Sequence, residues 1–221
     1  MKNGSTLWFM EEIKLQVRFA AAVNTQIKDS IAKKDYCAAI VNCLKLPHSK
    51  NLFNAAILSM HLGNLDDAAL YFENALQVDP WLTIGHYMYA VLMQRLGQYE
   101  MAIKLYDYCI ISFRGKDVIE YEQIGLYLTM NKCDAFLNKA CCHQLLGEFD
   151  FAVDEYQNAK ELNSNINTLF GSLGRAPRHS DEMPLFFQKR NFSSKSNHYL
   201  GHVPKIICSL PLKGLMGGKV N

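Results

Sequence analysis

The sequence predicts an all-α protein built as a solenoid of helix-turn-helix units. Three observations predict this fold. A skeleton of glycine, alanine and aromatic residues recurs every 34 residues, a glycine ends the first apolar run of each unit, and the second run repeats apolar residues at helical spacing. The chain has 221 residues, 49% hydrophobic and 20% charged, which is typical of a globular protein with an ordinary core.

The repeat is visible in three segments, HLGNLDDAALYFENALQVDP (61–80), RLGQYEMAIKLYDYCIISFR (95–114) and LLGEFDFAVDEYQNAKELNS (145–164). Gly63 and Gly97 are 34 residues apart, whereas Gly97 and Gly147 are 50 apart, which is 34 plus 16. A weaker copy, IAKKDYCAAIVNCLKLP, precedes them at 31–47. The period and residue order resemble the tetratricopeptide repeat, a helix-turn-helix unit. We therefore expect a tetratricopeptide-repeat domain at 20–166, with units at about 20–48, 49–82, 83–116 and 133–166 and an insertion at 117–132.

Each unit is expected to begin with a helix that ends at a glycine. Gly63, Gly97 and Gly147 can take the left-handed C-cap conformation without a Cβ penalty. Small residues let the paired helices approach closely: Ala56, Ala90 and Ala140 on the first helices, and Ala68, Ala102 and Ala152 on the second. Pro80 stops the second unit's last helix. Because such units cannot bury their apolar faces alone, four would stack into a short right-handed superhelix.

Composition restricts the possible functions. A net charge of +2 is too balanced for nucleic acid or an anionic membrane as the main partner. No apolar run approaches the roughly 18 residues of a membrane span, and Glu11 and Glu12 interrupt the one segment that resembles a signal sequence, so we expect a cytoplasmic protein. Seven cysteines without a Cys-x-x-Cys pair argue against disulfides and zinc. Adjacent Cys141, Cys142 and His143 point to different helix faces, and no catalytic residue, metal or cofactor is expected.

Five short motifs carry a more specific resemblance: PHSK (47–50), FNAA (53–56), FRGKDVIEYEQIGL (113–126), PRHS (177–180) and YLG (199–201). Their order and setting resemble neutrophil cytosol factor 2 and its relatives, the cytosolic activators of the NADPH oxidase. The resemblance covers roughly residues 28–209. It implies that the insertion forms a short β-hairpin between units 3 and 4, on the edge of the solenoid. With the neighbouring loops, this hairpin would bind the GTP-bound form of the small GTPase Rac.

The resemblance also implies the Rac-binding residues, position by position. Arg114 matches the family's essential arginine, and Ser49 and Asp79 match its loop contacts. Four further positions depart from the family, with lysine for asparagine, valine for leucine, glutamate for aspartate and tryptophan for histidine: Lys116, Val118, Glu120 and Trp81. An arginine suits this role because its planar fork donates several charge-assisted hydrogen bonds. In the alternative interpretation, Arg114 caps the carbonyls of the preceding helix and the insertion is a tolerated loop.

The ends of the chain are expected to lie outside the repeats. Residues 1–19 would form a leader, 167–198 a linker and 210–221 an irregular tail, since the stretch after Leu162 is rich in Asn, Ser and Gly. Only 181–198 separates PRHS from Tyr199, so the helix that fills the groove in the family is expected to be short or missing. The chain stops at Asn221, and the family's SH3 and PB1 partnerships are therefore not expected.

Residues 199–209 resemble the family's activation segment, which contacts the membrane-embedded flavocytochrome and promotes electron flow from NADPH to oxygen. The residues implied here are Tyr199, Leu200, Gly201, Ile206 and Ile207. Ile206 corresponds to a critical valine of the family if one residue is inserted upstream, and Lys205 does so without that insertion. We prefer Ile206, because an apolar β-branched residue preserves the chemistry. The alternative is a short apolar strand or a disordered end.

The resulting hypothesis is a non-enzymatic regulatory subunit of a superoxide-generating NADPH oxidase that is recruited to the membrane on activation. The alternative is a generic tetratricopeptide adaptor that binds a peptide in its concave groove. A clamp for a C-terminal carboxylate is less well supported. Asn54 would suit such a clamp, but Ile84 and Met88 occupy the positions where it needs a lysine and an arginine.

Overall fold

A computed structural model describes residues 3–121 and 129–163 of the chain, with side chains for residues 11–121 and 130–163. Within these residues there are eight α-helices and two short strands. In chain order they are α1 (Asn3–Ala32), α2 (Tyr36–Leu44), α3 (Ser49–Leu62), α4 (Leu65–Val78), α5 (Thr83–Arg95), α6 (Tyr99–Ser112), β1 (Val118–Glu120), β2 (Thr129–Asn131), α7 (Lys132–Leu145) and α8 (Phe149–Leu162). The predicted helical fold class is confirmed, and the two strands form a small antiparallel hairpin.

The helices pack in consecutive pairs. α1 packs on α2, α3 on α4, α5 on α6 and α7 on α8, and because the connecting loops are short, the two helices of each pair run antiparallel. Successive pairs also touch, through α2 and α3, α4 and α5, and α6 and α7. Each pair therefore contacts mainly its neighbours along the chain, which is the arrangement of a solenoid.

Glycine ends the first helix of three pairs, as the sequence predicts. Gly63, Gly97 and Gly147 have φ angles of 81°, 74° and 80°, all in the left-handed region. A Cβ atom built on any of the three would meet nothing within 4 Å. The glycines are therefore needed for the conformation of the backbone and not for space.

The interior is filled as the repeat pattern predicts. Ala56, Ala90, Ala68 and Ala102 are fully buried where paired helices cross, and Ala140 and Ala152 are also buried. Aromatic rings fill the gaps between pairs: the rings of Phe72 on α4 and Tyr89 on α5 stack with their centroids 5.9 Å apart. The first helices of the second, third and fourth pairs are the most enclosed, and α5 is buried at every residue from 83 to 94. The core thus runs along α3, α5 and α7.

Helix α1 is longer than its unit requires. It runs without a break across residue 19, where the leader was expected to end. Val23, Ile27 and Ile31, one turn apart, are buried in a cluster with residues of α2 and α3. Residues 11–19 are exposed. No helix among the described residues is long and apolar enough to cross a membrane.

The adjacent cysteines of α7 pack in the core, and the histidine that follows them contacts α8 and the residue before it. Cys141 and Cys142 are buried in the core, and burial raises the pKa of the Cys141 thiol to about 12. The Nδ1 atom of His143 lies 2.6 Å from the Oε2 atom of Glu148, and the His143 ring stacks on Phe151. In the described part of the chain, no group of three or more His, Cys, Asp and Glu side chains is arranged to hold a metal ion.

Candidate protein-binding site

The turn after α6 is built from two consecutive left-handed residues. Arg114 has a φ of 52° and Gly115 a φ of 78°. Positive φ is uncommon for a residue with a side chain, so the surroundings must hold Arg114 in place. Phe113, almost fully buried, anchors the turn from inside, and the Lys116 amide donates to its carbonyl at 3.0 Å. The chain thus leaves α6 sharply and enters β1.

The Arg114 side chain lies on the ring of Trp81. Its guanidinium carbon is 3.9 Å from the ring centroid, which is a cation–π contact. The backbone amide of Arg114, and not its guanidinium, donates to the Ile111 carbonyl of α6 at 3.0 Å. Arg114 does cap a carbonyl of α6, as the alternative interpretation predicts, but it does so with its backbone amide. The exposed side chain keeps its donors for another acceptor.

Trp81 lies in the loop between α4 and α5, and this loop is held by side chains at both ends. The Asp79 carboxylate accepts the Trp81 amide proton at 3.1 Å. At the other end, the His86 ring lies 2.9 Å from the Pro80 carbonyl oxygen, measured from Nε2. Burial lowers the pKa of His86, so the ring is neutral and its Nε2 proton is donated to Pro80. The backbone that carries the indole is thus held on both sides, and the Trp81 side chain is 52% exposed.

The insertion forms the expected hairpin. β1 and β2 are antiparallel, with Val118 opposite Asn131 and Glu120 opposite Thr129, and the Asp117 carbonyl accepts the Lys132 amide at 2.8 Å to close the base. Successive residues of a strand face opposite sides. Val118 and Glu120 therefore share one face, and both are exposed. That face is available to a partner.

Tyr121 anchors the hairpin to α5, a role that sequence reasoning missed. Its hydroxyl oxygen accepts the backbone N–H of Ile84 at 3.0 Å, across 37 residues of chain. The N-cap residue of α5, Leu82, makes no side-chain capping bond, so Tyr121 satisfies one of the free amides of the helix start. Burial raises the pKa of Tyr121, which keeps the hydroxyl neutral. The sequence did mark this tyrosine, since it belongs to the FRGKDVIEYEQIGL motif, but it gave no indication of its partner.

The structure brings only some of the predicted site residues into contact. Arg114, Trp81 and Asp79 form a connected group, through the cation–π contact and the Asp79–Trp81 hydrogen bond. Lys116 is exposed and lies between Arg114 and β1 in the chain. Ser49, the partly buried first residue of α3, is not a member of this group. It directly follows the loop that joins the first and second helix pairs, as Trp81 lies in the loop that joins the second and third. The activation-segment residues, like the linker and the groove-filling helix, lie outside the described residues.

The three positions considered for a carboxylate clamp are not exposed. A clamp in such a solenoid would use side chains of the first helices that a peptide can reach. Asn54, Ile84 and Met88 are instead fully buried, so they do not form a clamp in this structure.

The fold places this chain among mostly helical proteins with a tetratricopeptide-like architecture. The crystal structure of MamA superposes with a TM-score of 0.54 at 13% identity, covering 72% of this chain and 87% of MamA. The MamA RS-1 ArsTM double mutant superposes with a TM-score of 0.55 at 12% identity, covering 71% and 82%. At these identities the likeness concerns the fold alone.

Sequence comparison adds named relatives. Neutrophil cytosol factor 2 from Mus musculus is 26% identical and that from Homo sapiens 25% identical over 150 residues, which is 67% of this chain. The NADPH oxidase activator of Dictyostelium discoideum is 29% identical over 101 residues, 46% of this chain. The resemblance expected from the motifs is confirmed. The match spans 26% of the length of both mammalian proteins and 17% of the Dictyostelium protein. No protein-family model matches the chain.

Proposed function

We propose that this chain is a non-catalytic activator module of a superoxide-generating NADPH oxidase. The names of its relatives, a cytosol factor and an oxidase activator, support this proposal. In this view the four helix pairs are four tetratricopeptide units, and the hairpin is the insertion between the third and the fourth. The module is cytosolic and is recruited to the membrane when the oxidase is activated.

The module binds the GTP-loaded form of a Rac-family GTPase through the hairpin edge of the solenoid. The observation that supports this best is Arg114, which is exposed on a left-handed turn with its guanidinium held on Trp81. Arginine and tryptophan are the residue types most enriched among the energetically dominant contacts of protein interfaces. The proposed contact residues are Arg114, Lys116, Val118 and Glu120 of the insertion, with Ser49, Asp79 and Trp81 of the neighbouring loops.

The proposed site combines charge with apolar contact. Arg114 donates to carbonyl or carboxylate oxygens of the GTPase, whereas Trp81 and Val118 offer exposed apolar surface. The carboxylate of Glu120, on the same face of β1 as Val118, accepts donors of the partner. A second surface, the activation segment with Tyr199, Leu200, Gly201, Ile206 and Ile207, then contacts the flavocytochrome.

The test of the GTPase site is a pull-down with Rac loaded with either a GTP analogue or GDP. We expect retention of the GTP-analogue form only. Arg114→Glu should abolish this retention without lowering the helical circular dichroism, because the side chain is exposed. Lys34→Glu is a matched control, since it reverses another exposed cation on a residue of positive φ, in the loop between α1 and α2. Equal retention of both nucleotide forms, or none of either, would refute the proposal.

The activation segment has a separate test in a cell-free oxidase assay. Ile206→Ala should lower superoxide production without weakening GTPase binding, whereas Lys205→Ala should have little effect. The opposite order of effects would favour the ungapped alignment. Unchanged production with both variants would remove the segment from the proposal.

A further inference from the structure

We propose that Trp81 is a positioning residue, whose indole ring holds the Arg114 guanidinium ready for the GTPase. This inference rests on the proposed function. At position 81 this chain has tryptophan where the family that it resembles has histidine. The proposed role of the tryptophan is to hold Arg114, in addition to any contact that it makes with the partner.

Hydrogen bonds to the backbone fix the main chain on both sides of the Trp81–Arg114 contact. On one side, the Trp81 loop is fixed by the Asp79 carboxylate at 3.1 Å and by the His86 ring on the Pro80 carbonyl at 2.9 Å. On the other side, the backbone of Arg114 is fixed by its amide bond to Ile111 at 3.0 Å. The 3.9 Å contact thus joins two elements that are each held independently of it.

The chemistry of the two side chains explains what the contact does. A guanidinium that lies flat on an indole has one face covered, while its N–H groups point outward from its edge toward an acceptor. A free arginine side chain must instead be ordered when the partner arrives, which weakens binding. From the usual strength of cation–π contacts, the ring should strengthen binding by about 2-fold to 30-fold.

The first experiment needs no partner. In a Trp8→Phe background, Trp81 is the only tryptophan, so its fluorescence reports the surroundings of the indole. Arg114→Ala should change both its emission and its quenching by iodide, because the cation that covers the ring is removed. Lys116→Ala, which removes a neighbouring exposed cation, should change neither. If Arg114→Ala also leaves both unchanged, the contact does not exist in solution and the proposal is wrong.

The second experiment measures the affinity for Rac loaded with a GTP analogue. Trp81→Ala should weaken binding about 2-fold to 30-fold and Trp81→Phe by less, since phenylalanine keeps an aromatic face. In an Arg114→Gln background, which keeps N–H donors but removes the charge that the ring attracts, Trp81→Ala should weaken binding by less than it does with arginine. Phe151→Ala, on α8, serves as the control and should leave binding unchanged.

The outcomes separate the inference from the function on which it rests. If Trp81→Ala weakens binding equally with arginine or glutamine at position 114, Trp81 is only a direct contact and its positioning role is refuted. If the unmodified chain does not bind GTP-loaded Rac, the proposed function fails and this role fails with it. The fluorescence result would then still show whether the Trp81–Arg114 contact exists.

Discussion

Replacing Tyr121 with phenylalanine should destabilise the protein, although the change removes a single oxygen atom. That oxygen accepts the N–H of Ile84 in the first turn of α5, and both residues are buried, at 8% and 0% exposure. In the Tyr121→Phe variant the amide has no acceptor from this ring, and water has little access to it. The hairpin also loses its polar attachment to the third helix pair.

The magnitude follows from the cost of a buried donor without a partner, which is about 1–3 kcal/mol. Leu82, the N-cap residue of α5, offers no side-chain acceptor that could replace the lost one. For a chain of this size, 1 kcal/mol corresponds to about 2–4 °C in Tm. We therefore expect Tm to fall by roughly 2–12 °C in Tyr121→Phe.

The assay is urea and thermal unfolding followed by circular dichroism at 222 nm, with Tyr108→Phe as the matched control. Tyr108 is 60% exposed and stacks on His86, so phenylalanine keeps the ring contact and removes a hydroxyl that water already solvates. We expect the control to stay within about 0.5 kcal/mol of the unmodified protein. If Tyr121→Phe is no less stable than this control, the hydroxyl does not anchor the insertion.

Two further predictions concern Gly97, which ends a helix, and His86, which titrates. Gly97→Ala should lower the free energy of unfolding by about 1 kcal/mol, because the new Cβ meets no atom but φ is 74°. Gly97→Asn should cost less, since asparagine tolerates this conformation, and equal losses in urea unfolding would contradict the reasoning. The second prediction concerns pH. Burial lowers the pKa of His86 below its unfolded value of 6.5, so its contribution to stability is complete above pH 6.5. That contribution is lost as the pH falls from 6.5 through the lowered pKa, because the unfolded chain takes up the proton first. His86→Gln should flatten this dependence in urea unfolding between pH 7.5 and 5, and an unchanged slope would show that another group is responsible.

Much of the fold could be predicted from the sequence because its determinants are local. A glycine is needed wherever the backbone must turn left-handed, and the three glycines of the repeat occupy such positions. The position of the insertion followed from counting, since the glycines of the second and third units are 34 residues apart and that of the fourth unit follows after 50. The length of α1 was not predicted, because its apolar residues between 13 and 19 alternate with polar ones, which is not a helical spacing, and all of them are exposed.

The candidate site was predicted only as a set of positions. Arg114 and Trp81 were both identified, but as separate contacts of a partner, and no spacing in the sequence indicates that they touch each other. The same holds for Tyr121, a motif residue without an assigned role, and for His86, which no motif marks. Arg114 and Tyr121 follow α6, whereas their partners Trp81 and Ile84 lie at the start of α5, so local patterns could not reveal these two contacts.

The sequence by itself therefore determined the repeat, the caps that end its helices and the place of the hairpin, because these depend on backbone conformations set within a few residues. Only the tertiary structure decided how the hairpin edge is organised. The antiparallel packing of α6 on α5 brings Arg114, after the end of α6, against Trp81, just before the start of α5, and it brings Tyr121 against Ile84. These contacts form between segments that meet only when the two helices are packed.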